Sequence, residues 1–351
     1  MRIETKEFAS ADGSVCECHA IIHADDPQAT FTEQLSDIQN GLSEIEKRYD
    51  MRPVFCRWFL SDATNQAGDI PRLGWPASVV QQPPLDGTKA ALWLYLQKPG
   101  NGHYRHLWHG SRCLPATDSL SATRTMLNEY AHELEDAGCT LADNCVRTWF
   151  FVHDVDVNYA GVVRGRNEVF EHRGLTSETH FISSTGIGGT HADTTVSVQL
   201  DTYAVTGLRN GQMRYLYAKE WLNPTCEYGV AFERGTTVDY GDRRHVFISG
   251  TASIDNHGEV LFKGDIRRQT VRMLQNIEAL LAEAECDWRH VGHFIVYLRD
   301  TADYAVVDSM FRERFPDIPR VIVYAPVCRP QWLIETECMA FKTIESPYAP
   351  F

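Results

Sequence analysis

The chain repeats one unit along its length, and that repetition limits the folds open to it more than any single motif does. Near the C-terminus, Leu274, Ile277, Leu281 and Ala284 recur at helical spacing, and an apolar run over residues 293–298 follows, ending at Arg299-Asp300. The same order stands in the middle, where Leu127, Tyr130, Ala131 and Leu134 precede residues 146–152 and His153-Asp154. Near the start, Leu35, Ile38, Leu42 and Ile45 precede residues 54–60 and Ser61-Asp62. Each stripe covers one helix face, so each helix is expected to lie on a sheet built from the β-rich runs.

The middle and last copies align without a gap through the helix, Met126-Leu127 on Met273-Leu274 and Cys139 on Cys286. Upstream, Trp108-His109-Gly110 matches Ile248-Ser249-Gly250. Downstream, residues 198–204 match 334–340, setting Gln199 opposite Glu335 and Asp201 opposite Glu337. The first copy closes more loosely, with residues 91–97 as its last strand. Turn-rich stretches at Lys98-Pro99-Gly100-Asn101-Gly102 and at residues 207–211 mark the boundaries. The expected organisation is a degenerate N-terminal unit over 1–100, a middle unit over 101–210 and a C-terminal unit over 211–351. The expected fold is α+β, each unit a mixed sheet with helices on one face.

Charge and composition exclude several function classes. With 33 Lys+Arg against 47 Asp+Glu the net charge is −14, which argues against a nucleic-acid binder. The aromatic run Trp149-Phe150-Phe151 therefore reads as core strand, not a base-stacking platform. The ten cysteines are scattered with no C-x-x-C pair, which points to reduced thiols and a cytoplasmic protein. The N-terminus lacks an apolar signal segment, and no 18-residue apolar run occurs, so no membrane partner is expected. A dinucleotide fold needs a glycine fingerprint between strand and helix. The one glycine-rich stretch, Thr185-Gly186-Ile187-Gly188-Gly189, leads instead into residues 191–198, which read as strand, so it is expected to be a loop or bulge. His106 and His109 lack companion ligands at zinc spacing, and no metal is expected.

The C-terminal unit carries the densest chemistry. In the strand-like run Trp332-Leu333-Ile334-Glu335-Thr336-Glu337-Cys338-Met339-Ala340, Glu335 and Glu337 project from one face. Neighbouring carboxylates resist ionising together, so one is pushed toward the range of a general acid; a solvated strand face is the bland alternative. Arg320, Arg329 and Arg234 lie in flanking segments, and guanidinium groups bind carboxylates through a planar two-pronged donor set.

Residues 243–343 resemble the Rid (YjgF-type) family through His245-Val246-Phe247-Ile248-Ser249-Gly250, Gly264-Asp265, Gln269-Thr270, Asn276-Ile277, Val296-Tyr297-Leu298-Arg299-Asp300, Pro319-Arg320 and Ile334-Glu335-Thr336-Glu337. The resemblance implies that Arg320 binds a substrate carboxylate and that Ser249, Gly250 and Glu335 line the same pocket. Asp308 and Ile322 stand where imine-deaminating members carry Asn and Cys. Over most of its length the chain is similar to the chorismatases, through Arg147-Thr148-Trp149, Arg164-Gly165-Arg166-Asn167, Ser184-Thr185-Gly186-Ile187-Gly188, Phe232-Glu233-Arg234 and Cys328-Arg329-Pro330. That likeness implies chorismate as substrate and no metal or organic cofactor. Glu335 would be the acid, supported by Glu337. Arg234 and Arg320 would hold the carboxylates, with Tyr217 (or Tyr215) and Ser249 as hydrogen-bonding partners and Arg166 in support.

The repeat adds its own expectation: Arg320 matches Ser184, Ser249 matches His109 and Glu335 matches Gln199, so the middle unit has lost both acid and arginine. One working pocket per chain is expected, lined by the C-terminal unit and part of the preceding one. Because the resemblance implies trimers with pockets between subunits, three tandem units are expected to imitate that trimer in a monomer, with a homo-oligomer as the alternative. The competing functions are an imine or enamine deaminase acting on an imino acid, and a non-catalytic binder of small carboxylates.

Overall fold

The computed structural model describes residues 1–351 except Asn101, which lies within the first boundary stretch named above. The first sheet takes β1 (Arg2–Ala9), β2 (Val15–His23), β3 (Arg52–Leu60), β4 (Ala77–Gln81) and β5 (Ala90–Gln97), with helix α1 (Phe31–Arg48) and a single turn, α2 (Ala63–Gln66). The second takes β6 (His106–Cys113), β7 (Cys145–Val152), β8 (Ser183–Gly188) and β9 (Val198–Val205), with α3 (Ser119–Asp136), α4 (Leu141–Asn144) and α5 (Val155–His172). The third takes β10 (Met213–Leu216), β11 (Gly235–Asp239), β12 (Arg243–Ala252), β13 (Val291–Leu298), β14 (Arg320–Tyr324) and β15 (Ile334–Thr343), with α6 (Ile266–Glu283) and α7 (Tyr304–Arg314). Residues 191–197, expected as strand, are a loop, and the glycine-rich stretch is itself the strand β8. Gly186 and Gly188 keep that strand bare: a Cβ would strike the Tyr159 ring at 2.8 Å and Pro326 at 2.7 Å.

The same four-strand order recurs in the three sheets, β2-β5-β3-β4, β6-β9-β7-β8 and β12-β15-β13-β14. In each, only the last pair is parallel. The long helices start where the sequence supplies caps: Thr30 with Glu33 closes a capping box on α1, and Asp118 and Asp265 cap α3 and α6. Their apolar stripes pack on the sheets, Ile38 and Ile45 in the first unit, Leu127 and Leu134 in the second, Ile277 and Leu281 in the third. The opposite faces of the sheets meet in one shared core that includes Trp93, Trp108, Trp149, Tyr203 and Phe247. Among the described residues no helix is long and apolar enough to cross a membrane.

Ladder register makes the repeat equivalences explicit. Arg320 pairs with Phe294, Ser184 with Thr148 and Ala77 with Cys56, while Glu335 faces Tyr297, Gln199 faces Phe151 and Ala91 faces Phe59. The matches of Arg320 to Ser184 and Glu335 to Gln199 therefore hold in space. One match does not. Ile248 pairs with Cys338 and His109 with Thr202, so the counterpart of Ser249 is Gly110, and that of Gly250 is Ser111. A bulge sits there in both sheets, between Ile248 and Thr251 and between His109 and Arg112, and matching glycine to glycine slipped the alignment by one.

The three sheets close in a ring. β4 lies along β6, where the Val79 amide donates to Ser111 Oγ at 2.9 Å. β8 lies along β12, where the Ser184 amide donates to Ser249 Oγ at 3.0 Å. β14 lies along the first sheet, its Arg320 amide donating to the Glu4 carboxylate at 3.1 Å. Each seam thus joins the strand with the Glu335 position of one sheet to the strand with the Arg320 position of another: Glu335 shares a cleft with Ser184, Gln199 donates to Ser78 beside Ala77, and His23, the ladder partner of Ala91, reaches the Arg320 carbonyl.

Candidate active site

The seam between the second and third sheets opens into a cleft of about 550 Å³, solvent at its mouth included. Strand alternation along β15 carries Glu335 and Glu337 to the same face, Glu335 into the cleft and Glu337 into the core behind it. Glu337 accepts from Arg147 Nη2 and Trp149 Nε1, both at 2.8 Å, and from the Thr185 hydroxyl, the pattern of an ionised carboxylate. Glu335 is buried, and its carboxyl makes no hydrogen bond to any described residue. Burial, then the Glu337 charge, push it from 4.5 up to about 8, against the opposing pull of Arg147 and Arg234. Gly250 makes room for this acid, since a Cβ there would stand 2.0 Å from Glu335 Oε1. The Gly250 amide is tied to Thr185 Oγ1 at 2.9 Å.

Three arginines reach the cleft. Arg166, from α5, is 1% exposed, and its Nε and Nη2 have no hydrogen-bond partner among the described residues. Its guanidinium lies 5.8 Å from the Phe150 ring centre and 5.9 Å from that of Phe232. Unsatisfied buried donors of a permanent cation are costly unless an anion completes them, so this group is built to receive one. Arg234 is braced by the Asn223 carbonyl at 3.0 Å and Asn223 Oδ1 at 3.2 Å. Arg329 stacks near Tyr228 and Trp332, at 4.6 and 4.7 Å. Tyr159, Ser184, Gly186 and Cys328 complete the side formed by the middle unit and the 325–333 loop. Burial pushes the Cys328 thiol up to about 12, so it enters the cleft protonated.

Of the residues predicted from sequence, the structure brings Glu335, Gly250, Arg234 and Arg166 together, with Glu337 directly behind. It does not bring Arg320 to them. Arg320 stands in the seam of Ala91, with its guanidinium on the carbonyls of Phe315 and Ile318 at 3.3 and 3.5 Å. Ion pairs fill that seam: Arg2 with Asp86 at 3.3 Å and with Glu4 at 3.2 Å, and Arg312 with Asp308 at 2.6 Å. Asp308 and Ile322 line the same seam, away from Glu335. The reason is the ring itself: acid and arginine of one unit lie at opposite seams of their sheet. Ser249 also leaves the list, because its hydroxyl is spent inside the seam, donating to the Glu233 carbonyl at 2.6 Å and accepting from Ser184. Tyr217 lines a neighbouring chamber with Glu233, on the other side of Phe232 and Arg234, and Tyr215 stacks on His180 at 4.3 Å. Tyr159, Tyr228, Trp332 and Cys328 were missed as site residues; for Cys328 the Cys328-Arg329-Pro330 motif was the available signal. Among the described residues no three His, Cys, Asp or Glu side chains converge as a metal would require.

In overall structure the chain is similar to a solved chorismatase, with a TM-score of 0.65 over 82% of this chain and 92% of that one, a likeness of fold at 18% identity. The family model for endoribonuclease L-PSP matches residues 237–342. A RutC family protein of Pyrococcus abyssi is 35% identical over 99 residues, 28% of this chain and 78% of that protein. The 3-aminoacrylate deaminase RutC of Acinetobacter baylyi is 31% identical over 97 residues, 27% of this chain and 77% of that protein. The chain belongs to the RutC family, the Rid (YjgF-type) proteins, and carries its family domain in the third unit.

Proposed function

We propose that the protein is a chorismatase-like enzyme that cleaves the enolpyruvyl ether of chorismate by general acid catalysis. The observation that carries this reading is a buried carboxyl with no protein hydrogen bond, Glu335, set among three arginines in one cleft. Chorismate has two carboxylates, and on this reading Arg166, Arg234 and Arg329, which all line the cleft, receive them. Glu335 gives its proton to the methylene carbon of the enolpyruvyl group, and an oxocarbenium centre forms at the ether carbon. Water adds there, the hemiketal collapses, and pyruvate leaves with a dihydroxycyclohexadiene carboxylate; rearrangement on the ring leads instead to a hydroxybenzoate. The carboxylate left on Glu335 is stabilised by Arg234, on the cleft side, until it regains a proton. The fold shared with the solved chorismatase supports this substrate.

The deaminase relative supplies a second reading, hydrolysis of an imino or enamino acid. The seam that holds Arg320 speaks against it, because the first sheet carries Ala91 at the position that Glu335 has in the third, and the Arg320 guanidinium is held on the carbonyls of Phe315 and Ile318. The deciding experiment is pyruvate release from chorismate by the purified protein, with the ring product identified by mass. Glu335→Gln is expected to lower turnover by about 10³-fold or more while chorismate still binds. Release no faster than the spontaneous reaction would reject the proposal, and imino acids would then be tested.

A further inference from the structure

The first unit has alanine at both positions of interest, Ala91 for Glu335 and Ala77 for Arg320, yet it reaches the cleft from behind. Arg57, on β3, crosses the shared core. Its Nε and Nη2 donate to Asp201 Oδ2 at 3.3 and 3.0 Å, and its Nη1 lies 3.5 Å from Glu337 Oε1 without forming a hydrogen bond. Asp201 is the counterpart of Glu337 in the middle sheet, and its second oxygen accepts from the Ser111 amide at 2.8 Å. Arg57 and Asp201 are both fully buried at 0% exposure. Arg147 completes the group through its bond to Glu337. Arg57, Asp201, Arg147 and Glu337 thus form one buried cluster, in which Arg57 is hydrogen-bonded to Asp201 and Arg147 to Glu337 while Arg57 also approaches Glu337.

We propose that Arg57 and Asp201 are positioning residues for the acid: as a neutral pair they commit Arg147 to Glu337 and leave no core cation free to stabilise an ionised Glu335. The proposal rests on the reading of Glu335 as the proton donor. If Asp201 loses its charge, Arg57 turns to Glu337, which it already approaches, and Arg147 is released toward Glu335. On the core side the charged or titratable groups facing Glu335 are Glu337, Arg147 and Tyr297. On the cleft side they are Tyr159, Arg166, Tyr228, Arg234, Cys328 and Arg329. Substitution at Arg57 or Asp201 replaces none of these groups, and changes only the pairing of Arg147 with Glu337. The first unit, without an acid of its own, thereby keeps the acid of the third unit protonated.

The test is a carboxyl titration by ¹³C NMR on protein labelled at the glutamate side-chain carboxyl, with the Glu335 signal assigned by its loss in Glu335→Gln. In Asp201→Asn the Glu335 midpoint is expected to fall by about one pH unit. In Arg57→Gln it is expected not to fall, and in the double variant Arg57→Gln/Asp201→Asn it returns to within about 0.3 unit of the parent. An unchanged midpoint in folded Asp201→Asn overturns the proposal. So does a fall that persists in the double variant, which sets amide against amide and tests the idea even if the single variant does not fold. The titration needs no turnover, so it stands apart from the chorismate assay. Where chorismate is cleaved, the alkaline limb of kcat against pH moves with the same sign.

Discussion

At the scale of single residues, Glu335 is the group whose environment has the largest functional consequence. Its folded-state value of about 8 lies above its ordinary 4.5, so the fold favours the protonated form. Below pH 4.5 folded and unfolded chains both hold the proton and the residue costs nothing. Between 4.5 and 8 only the folded chain holds it, and stability falls as pH rises through that window. Glu335→Gln is therefore expected to gain stability over the parent across this window, on the order of a few kcal/mol at its upper end, read from thermal melts at pH 4.5 and 8. Chorismate turnover is expected to fall as pH rises through about 8. The arginines separate by the same logic. Arg166→Met removes unpaired donors aimed at the cleft and is expected to lower kcat/KM by about 10²-fold, whereas Arg320→Met is expected to change it by less than about threefold. Equal losses in steady-state kinetics would return Arg320 to the site. Glu335 was legible in the sequence because strand alternation puts it beside Glu337. The unpaired state of Arg166 was not, because it depends on which side chains stop short of it.

At the scale of elements, β8 and α5 build the wall opposite the acid, and the sequence underdescribed both. β8 is glycine-rich, which reads as loop, but pairing with β7 holds it extended while Gly186 admits the Tyr159 ring. α5 has only a narrow stripe, Val155, Val162, Val169 and Phe170, and it contains Gly161 and Gly165, which weaken a helical pattern. Those glycines let α5 press on α3: a Cβ on Gly165 would meet the Leu120 carbonyl at 2.6 Å, and one on Gly161 would meet Ser119 Oγ at 2.2 Å. That close approach carries Arg166 and Tyr159 to the cleft. On β12 the same device serves the acid. Gly250→Ala is expected to displace the Glu335 carboxyl and lower kcat by about 10²-fold with less effect on KM, measured by steady-state kinetics. An unchanged kcat in folded protein would show that the acid tolerates the move.

At the scale of the whole molecule, the chain closes its three seams on itself, and an assembly of further copies is not needed to complete the cleft. Light scattering is expected to give a monomer near the chain mass of 39.8 kDa; a stable trimer would contradict this. The three seams differ in content: one holds an acid and three arginines, one holds Gln199 against Ser78, and one is filled by ion pairs around Arg320. By itself the sequence determined the repeat, the helix faces, the strand that carries both carboxylates and the resemblance of residues 243–343 to the Rid proteins, because periodicity and local order are written along the chain. Only the tertiary structure decided which unit's arginine meets which unit's acid. Linear order places Arg320 close before Glu335, but the ring sends the two to different seams and brings Arg166 and Arg57 from earlier units instead. Such pairings follow from how sheets close on one another, and no spacing along the chain encodes that closure.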